Sequence, residues 1–481
     1  MLVLRLTSLT TDHWPVTHGR PDDFLSRLLL DTRADRLQML PMSTRPEGQT
    51  LARRLGALSG AGLLIGLTIG SGIFRVPGTV AADVGTAGAM GVVWILGGIL
   101  ALFGALSLAE LAVMYPRAGG LYVFLREAYG PLPAFLYGWT ELLITRPAAL
   151  GALAMIFAEY AGAFEGVAVR LLAASAIVGL TIVNLRSVGA GTGLQNVTAA
   201  AKVVALVVLA GALLLLGDRG AGALAATPSF APTSWGGFGV ALIAVLWAYD
   251  GWADTTAMAG EMRDPRRTIP RALVGGTLTV IAIYLVVNVA FLWVLPAGEM
   301  AGSTLVAADA AARVLGSAGA NVIRALVALS AFGALAAAII TGPRILFALA
   351  SDGLFFARVA AVHPRFQTPW VATLVTGALG IAYVSIRSFE QLAGAFVLGV
   401  WPFYALAVAG VIVLRRRAPT VERAYRTTGY PLVPVAFLLA SALLLGNALV
   451  EETGLTLFGF GVILVGIPVF WGWRALRSRV P

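Results

Sequence analysis

The sequence predicts an all-α integral membrane protein of twelve transmembrane helices, the first and sixth of them discontinuous. Three observations carry this. The 481 residues are 58% hydrophobic and only 12% charged, with a mean hydropathy of +0.86, where soluble domains carry roughly 25% charged residues. Apolar segments of about 20 residues, enough to cross a bilayer as a helix, recur along most of the chain. Alternating runs of ~10 residues, the mark of membrane strands, do not occur. Two of the apolar segments are interrupted at mid-length by residues that break helices.

Taken in order, residues 1–54 are polar and irregular. Their apolar stretch "FLSRLLL" is short and carries an arginine, unlike a secretory signal. An N-terminal cytoplasmic tail is expected, with translation from Met42 the alternative. Twelve spans follow at about 56–80, 87–114, 132–160, 166–185, 194–217, 235–260, 272–295, 320–349, 370–386, 390–414, 430–449 and 455–474. A short amphipathic piece, 303–315, lies between the seventh and eighth. Residues 55–414 then form a ten-helix core, and 415–481 carry helices 11 and 12 and a C-terminal tail.

An even number of spans puts both termini on one side. On that side fall twenty-six arginines, from the N-terminal tail, the loops at Arg117–Arg126, Arg186, Arg263–Arg271, Arg344–Arg365 and Arg415–Arg426, and the C-terminal tail. The other side receives four: Arg170, Arg219, Arg313 and Arg387. Cytoplasmic loops are the arginine-rich ones, so both termini are expected in the cytoplasm. The net charge of +10 is read the same way, with no nucleic acid partner.

There is no cysteine, which excludes disulfides, thiolate metal sites and cysteine nucleophiles. The three histidines, His13, His18 and His363, form no ligand cluster in sequence. Neither cofactor nor metal is expected, and a membrane enzyme would need paired carboxylates, a histidine or a metal cluster at membrane depth.

The first span contains "IGSGIFRVPG", Ile69 to Gly78. Each glycine in a helix interior costs about 1 kcal/mol against alanine, so Gly70, Ser71 and Gly72 together favour a break. The sixth contains "LWAYDGWADTTAMAGEM", where Asp250 and Gly251 interrupt an apolar helix. Non-helical backbone and carboxylates survive at membrane depth only where they line a cavity or are buried in protein. Spans one and six open two five-helix halves, 1–5 and 6–10. Interruptions at corresponding positions point to an inverted-repeat transporter with its substrate between the broken helices. Freed amides at the positive end of a half-helix hold a carboxylate, and freed carbonyls hold an ammonium. A free α-amino acid presents both.

These stretches resemble the amino acid–polyamine–organocation (APC) superfamily, and within it the L-type amino acid transporter group. "GSGIF" (Gly70 to Phe74) is similar to the family's first helix. "AELAVMYPRAGGLYVFL" from Ala109 resembles the second helix and its loop, and "TELLITRPAAL" from Thr140 a third-helix pattern of the L-type group. "QNVTAAAK" (Gln195 to Lys202), "AYDGW" with "GEMRDPRRTIPRAL", "SAFGALAAAIITGPRILFALASDG" and "HPRFQTP" resemble the fifth, sixth and eighth helices and the loop after the eighth. The likeness spans about 55 to 475.

The resemblance implies the inverted 5+5 repeat of the LeuT-like fold with two added helices. It implies secondary transport of amino acids across the cell membrane, independent of sodium, by exchange or proton coupling. A sensor that binds amino acids without moving them is the alternative. The substrate carboxylate would meet amides at Ser71, Gly72 and Ile73. Its α-amino group would meet carbonyls of Thr68, Ile69, Trp247, Ala248 and Asp250. Trp247 stands where the family places an aromatic gate. Animal L-type members carry a heavy chain bound through a disulfide, which a chain without cysteine cannot form.

Three ionisable residues remain. Asp250 could meet a cationic substrate side chain, the α-ammonium, or the broken helix itself, with Asp254 four residues on expected to share its face. Arg146, after Glu141, is either part of a permeation gate or structural, as a pair inside the bundle or an arginine snorkelling to a surface. Lys202 is the one lysine beside thirty-three arginines, and it lies in an apolar helix. By resemblance it occupies the helix-5 position that replaces a sodium ion, with Ser330 of helix 8 a neighbour. A buried lysine can release its proton and arginine effectively cannot, so Lys202 is either a fixed substitute for sodium or a proton carrier.

Overall fold

The computed structural model of the chain describes residues 55–477, apart from Ser71, Ala118, 163–165, 187–188, 219–228, Asp352 and Gln367. The expected N-terminal tail and Met42 lie outside the described residues. The first span divides into α1 (Ala57–Thr68) and α2 (Gly72–Val84), which meet at 49°. Next come α3 (Ala87–Met114), α4 (Leu121–Tyr129), α5 (Pro131–Gly162), α6 (Val167–Arg186) and α7 (Gly189–Leu216). The sixth span divides into α8 (Trp235–Tyr249) and α9 (Trp252–Thr255), the latter continued by a 3-10 turn, Thr256–Glu261. Then follow α10 (Pro265–Val294), α11 (Ala297–Ala301), α12 (Val306–Ser351), α13 (Trp370–Ile386), α14 (Phe389–Arg417), α15 (Leu432–Glu451) and α16 (Thr453–Arg477).

Among the described residues, nine helices are long and apolar enough to cross a membrane, and the bent α1–α2 pair makes a tenth. Two shorter apolar helices, Lys202–Leu216 and Trp370–Ile386, cover the expected fifth and ninth spans. Several boundaries shift: the seventh span starts at Pro265 rather than 272, and the helix of the fifth at Gly189 rather than 194. The first span continues to Val84 rather than 80. The amphipathic piece expected at 303–315 is the first segment of α12, ended at Gly316, whose φ of 66° turns the chain before the apolar part resumes.

Small residues let the helices approach closely, as membrane bundles require. A Cβ at Gly104 of α3 would run into the Trp252 ring, and one at Gly98 would lie 3.0 Å from Ile281. Trp252 and Tyr249 are thereby buried against α3.

Ion pairs fasten the ends. At the N-terminal end of α14, Glu390 accepts from Arg75 of α2 at 2.7 Å, and Arg75 also reaches Glu159 of α5 at 3.3 Å. At its C-terminal end, Arg415 donates both Nε and Nη2 to the buried Glu110 of α3, at 2.9 and 2.7 Å. The same carboxylate accepts from the backbone and hydroxyl of Thr427 at 2.7 and 2.8 Å. Arg423 lies 3.4 Å from it and caps the carbonyls of Leu414 and Ala418, the end of α14. Leu55 pairs through its backbone with Glu261 and Arg263, stitching the start of α1 to the exit of the sixth span.

Candidate functional site

The two chain breaks meet. Gly251 has a φ of 128°, a conformation that L side chains rarely adopt. A Cβ there would stand 2.5 Å from Thr68 Oγ1 and 2.9 Å from Thr68 N. Only glycine lets the break in the sixth span rest against the end of α1. On the other side, a Cβ at Gly72 would lie 2.9 Å from Ala248 Cα, so the start of α2 rests on the end of α8. Thr68, Ile69, Gly72, Ile73 and Ala248 are all buried around this contact, with Trp247 half-buried beside it. Ser71 lies outside the described residues.

Gly72 and Ile73 open α2, and first-turn amides have no acceptor within their own helix. The carbonyls are less free than expected. Tyr284 of α10 points its hydroxyl between the two breaks, 2.8 Å from the Thr68 carbonyl and 3.1 Å from that of Ala248. Gly70 N–H also donates to Thr68 O at 2.7 Å, and Asp250 N–H to Trp247 O at 3.3 Å. Sequence reasoning missed Tyr284. A tyrosine in an apolar helix is the only signal it leaves, and interfacial tyrosines leave the same one.

Asp250 is half-buried in extended backbone, with ψ of 152°. Its Oδ1 accepts from Tyr404 of α14 at 2.7 Å. Helical spacing does not carry across Gly251, and Asp254 is exposed in the next helical piece. It still lies close enough to act electrostatically on Asp250, Glu141 and Arg146. Trp247 meets Phe396 of α14 edge to face, with ring centroids 4.8 Å apart.

Arg146 and Glu141 form a buried ion pair at 2.9 Å. A single π-helical turn, Glu141–Thr145, makes this possible. The Arg146 N–H donates to the Glu141 carbonyl, five residues back, and the register shift puts both side chains on one face. The motif "TELLITRP" therefore encodes a local irregularity invisible to periodicity. The pair matches the structural one of the two expectations for Arg146.

Lys202 is buried, at 4% exposure. It lines a cavity of about 20 Å³ together with Phe74 of α2 and Ser330 of α12. Thus α7, α12 and the helix that follows the first break converge on the lysine. The hydroxyls of Ser330 and Thr68 are buried with no hydrogen-bond partner among the described residues. Such groups cost about 1–3 kcal/mol each unless something satisfies them. No cluster of three or more metal-ligating His or acidic residues occurs among the described residues.

Residues 55–472 match the amino acid permease family. The chain is 34% identical to the serine/threonine exchanger SteT of Bacillus subtilis over 439 residues, covering 90% of this chain and 99% of that protein. It is 33% identical to mouse b(0,+)-type amino acid transporter 1 over 85% of each chain. It is 29% identical to the human cystine/glutamate transporter, over 89% of this chain and 87% of that one.

Proposed function

Because the chain belongs to the amino acid permease family, we propose that its two broken helices bind the substrate of a sodium-independent amino acid transporter of the cell membrane. Its mode is exchange or proton coupling, in keeping with the serine/threonine exchanger among its relatives. The architecture proposed is twelve spans in an inverted 5+5 repeat, with both termini on the cytoplasmic, arginine-rich side.

The observation that carries this reading is the meeting of Thr68 with Gly251 and of Gly72 with Ala248. It puts first-turn amides and unwound carbonyls within one small space, which suits a zwitterion. The substrate carboxylate takes the amides of Ser71, Gly72 and Ile73, at the positive end of α2. The α-ammonium takes the carbonyls of Thr68, Ile69, Trp247 and Ala248. A carbonyl has two lone pairs: that of Thr68 already faces the Gly70 N–H and the Tyr284 hydroxyl, so it serves the ammonium by displacing one of them, while Ala248 can share with the hydroxyl. Trp247, braced by Phe396, closes over the site.

Asp250 is oriented by Tyr404 and retains its other oxygen for the α-ammonium or for a cationic side chain. Lys202 stands where a cation between helices 1, 5 and 8 would sit. Its ammonium, in the cavity that Ser330 also lines, replaces that charge. The test is uptake of a panel of radiolabelled amino acids into proteoliposomes without sodium, with and without internal amino acid and at two pH gradients. Uptake without sodium is expected. A strict sodium requirement overturns the reading.

A further inference from the structure

The arginines at the start of α10 do more than mark a side of the membrane. The lipid-facing stripe of α10 includes Leu278, Val286 and Val289, which are 48%, 51% and 45% exposed. Arg267 precedes Leu278 by eleven residues, as Leu278 precedes Val289, and eleven residues make about three turns. Arg271 precedes Leu278 by seven, about two turns, and is also exposed. Both arginines therefore continue the lipid-facing stripe, roughly 10 and 16 Å beyond its first exposed leucine. That is the depth at which an apolar helix surface gives way to headgroups.

Neighbouring charges do not neutralise them. Arg271 has no carboxylate partner among the described residues. Arg267 has only Asp264, 3.9 Å away with both side chains well exposed. The nearby carboxylate of Glu422 is taken by Arg266 through a two-bond fork at 2.8 and 2.9 Å. That fork also brings the 418–431 loop, with the exposed Arg426, beside the same helix start. The positive end of the α10 dipole adds to the field.

We propose that Arg267 and Arg271 bind the phosphate of an anionic phospholipid headgroup, with the acyl chains lying along the Leu278–Val289 stripe. Two guanidinium groups one turn apart suit the several oxygens of a phosphate, and the apolar stripe below them suits a lipid rather than a free ion.

The test is native mass spectrometry of the purified chain with phosphatidylglycerol and phosphatidylcholine of matched acyl length. The wild type is expected to retain phosphatidylglycerol in preference. Each surface arginine is worth about fivefold in attraction to anionic lipid, so the Arg267→Gln/Arg271→Gln variant is expected to lose at least tenfold in that retention. The two side chains are exposed, so the variant's thermal unfolding is expected to match the wild type. Arg267→Lys/Arg271→Lys keeps the charge and most of the preference. Equal retention of both lipids by the wild type overturns the proposal, as does unchanged phosphatidylglycerol retention in the glutamine variant. Displacement of the lipid by inorganic phosphate alone also overturns it, because it would identify a free-anion site.

Discussion

At the scale of single residues, Lys202 shows how one position can be prominent in sequence and still depend on its surroundings. It is the one lysine of the chain, so composition alone draws attention to it. Its cavity, shared with Phe74 and Ser330, is about 20 Å³, and a guanidinium is the bulkier head to place there. Overfilling a packed site costs about 1–3 kcal/mol, and arginine cannot release a proton at working pH. Lys202→Arg is therefore expected to cut amino acid transport roughly tenfold or more at every pH, measured by proteoliposome uptake with protein amount matched. Normal, pH-dependent uptake in that variant would remove both the packing and the proton argument. Gly251 is the complementary case. Sequence marks it as a helix breaker, but the requirement for glycine comes from Thr68, 183 positions away in the chain.

At the scale of elements, the ends of α14 carry contacts that no pattern predicts. Arg415 reads in sequence as one of a run of cytoplasmic arginines. In the fold it is the two-bond partner of Glu110, 305 residues away. Breaking a buried pair by removing one partner leaves an uncompensated charge and costs about 3–5 kcal/mol. Exposed pairs are worth about 0–1 kcal/mol. Thermal unfolding in detergent should separate the two. Glu110→Ala, which orphans Arg415 and part of Arg423, is expected to lower the transition by several degrees. Glu422→Ala, at the exposed Arg266 fork, is expected to leave it nearly unchanged. Equal, small effects would mean that the Glu110 hub does not anchor α14 and its loop to α3. The π-turn in α5 teaches the same lesson within one helix. The residues that make it, Glu141 to Thr145, have ordinary composition, and the irregularity is stabilised by what its side chains meet.

At the scale of the whole molecule, hydropathy makes the succession of apolar helices legible, and the uneven distribution of arginine sets an expected orientation. The absence of cysteine makes the orientation directly measurable. A cysteine placed at Arg387 is expected to react with a membrane-impermeant thiol reagent in intact cells. One placed at Arg267 is expected to react only after permeabilisation. The reverse pattern would invert the topology. The spans, the two interruptions and the family motifs were open to inspection because each is local: a run of apolar side chains, a glycine pair, a short string. The Tyr284 bridge between Thr68 and Ala248, the Tyr404 hold on Asp250 and the Glu110 hub were not. Each joins residues on different helices or depends on a backbone break that ends helical spacing. So the sequence by itself determined that this chain crosses a membrane, where its helices break and which residues stand at the breaks, because burial in lipid and backbone propensity act over a turn or two. Only the tertiary structure decided which polar groups satisfy one another there, because hydrogen bonds between distant segments depend on how the helices pack.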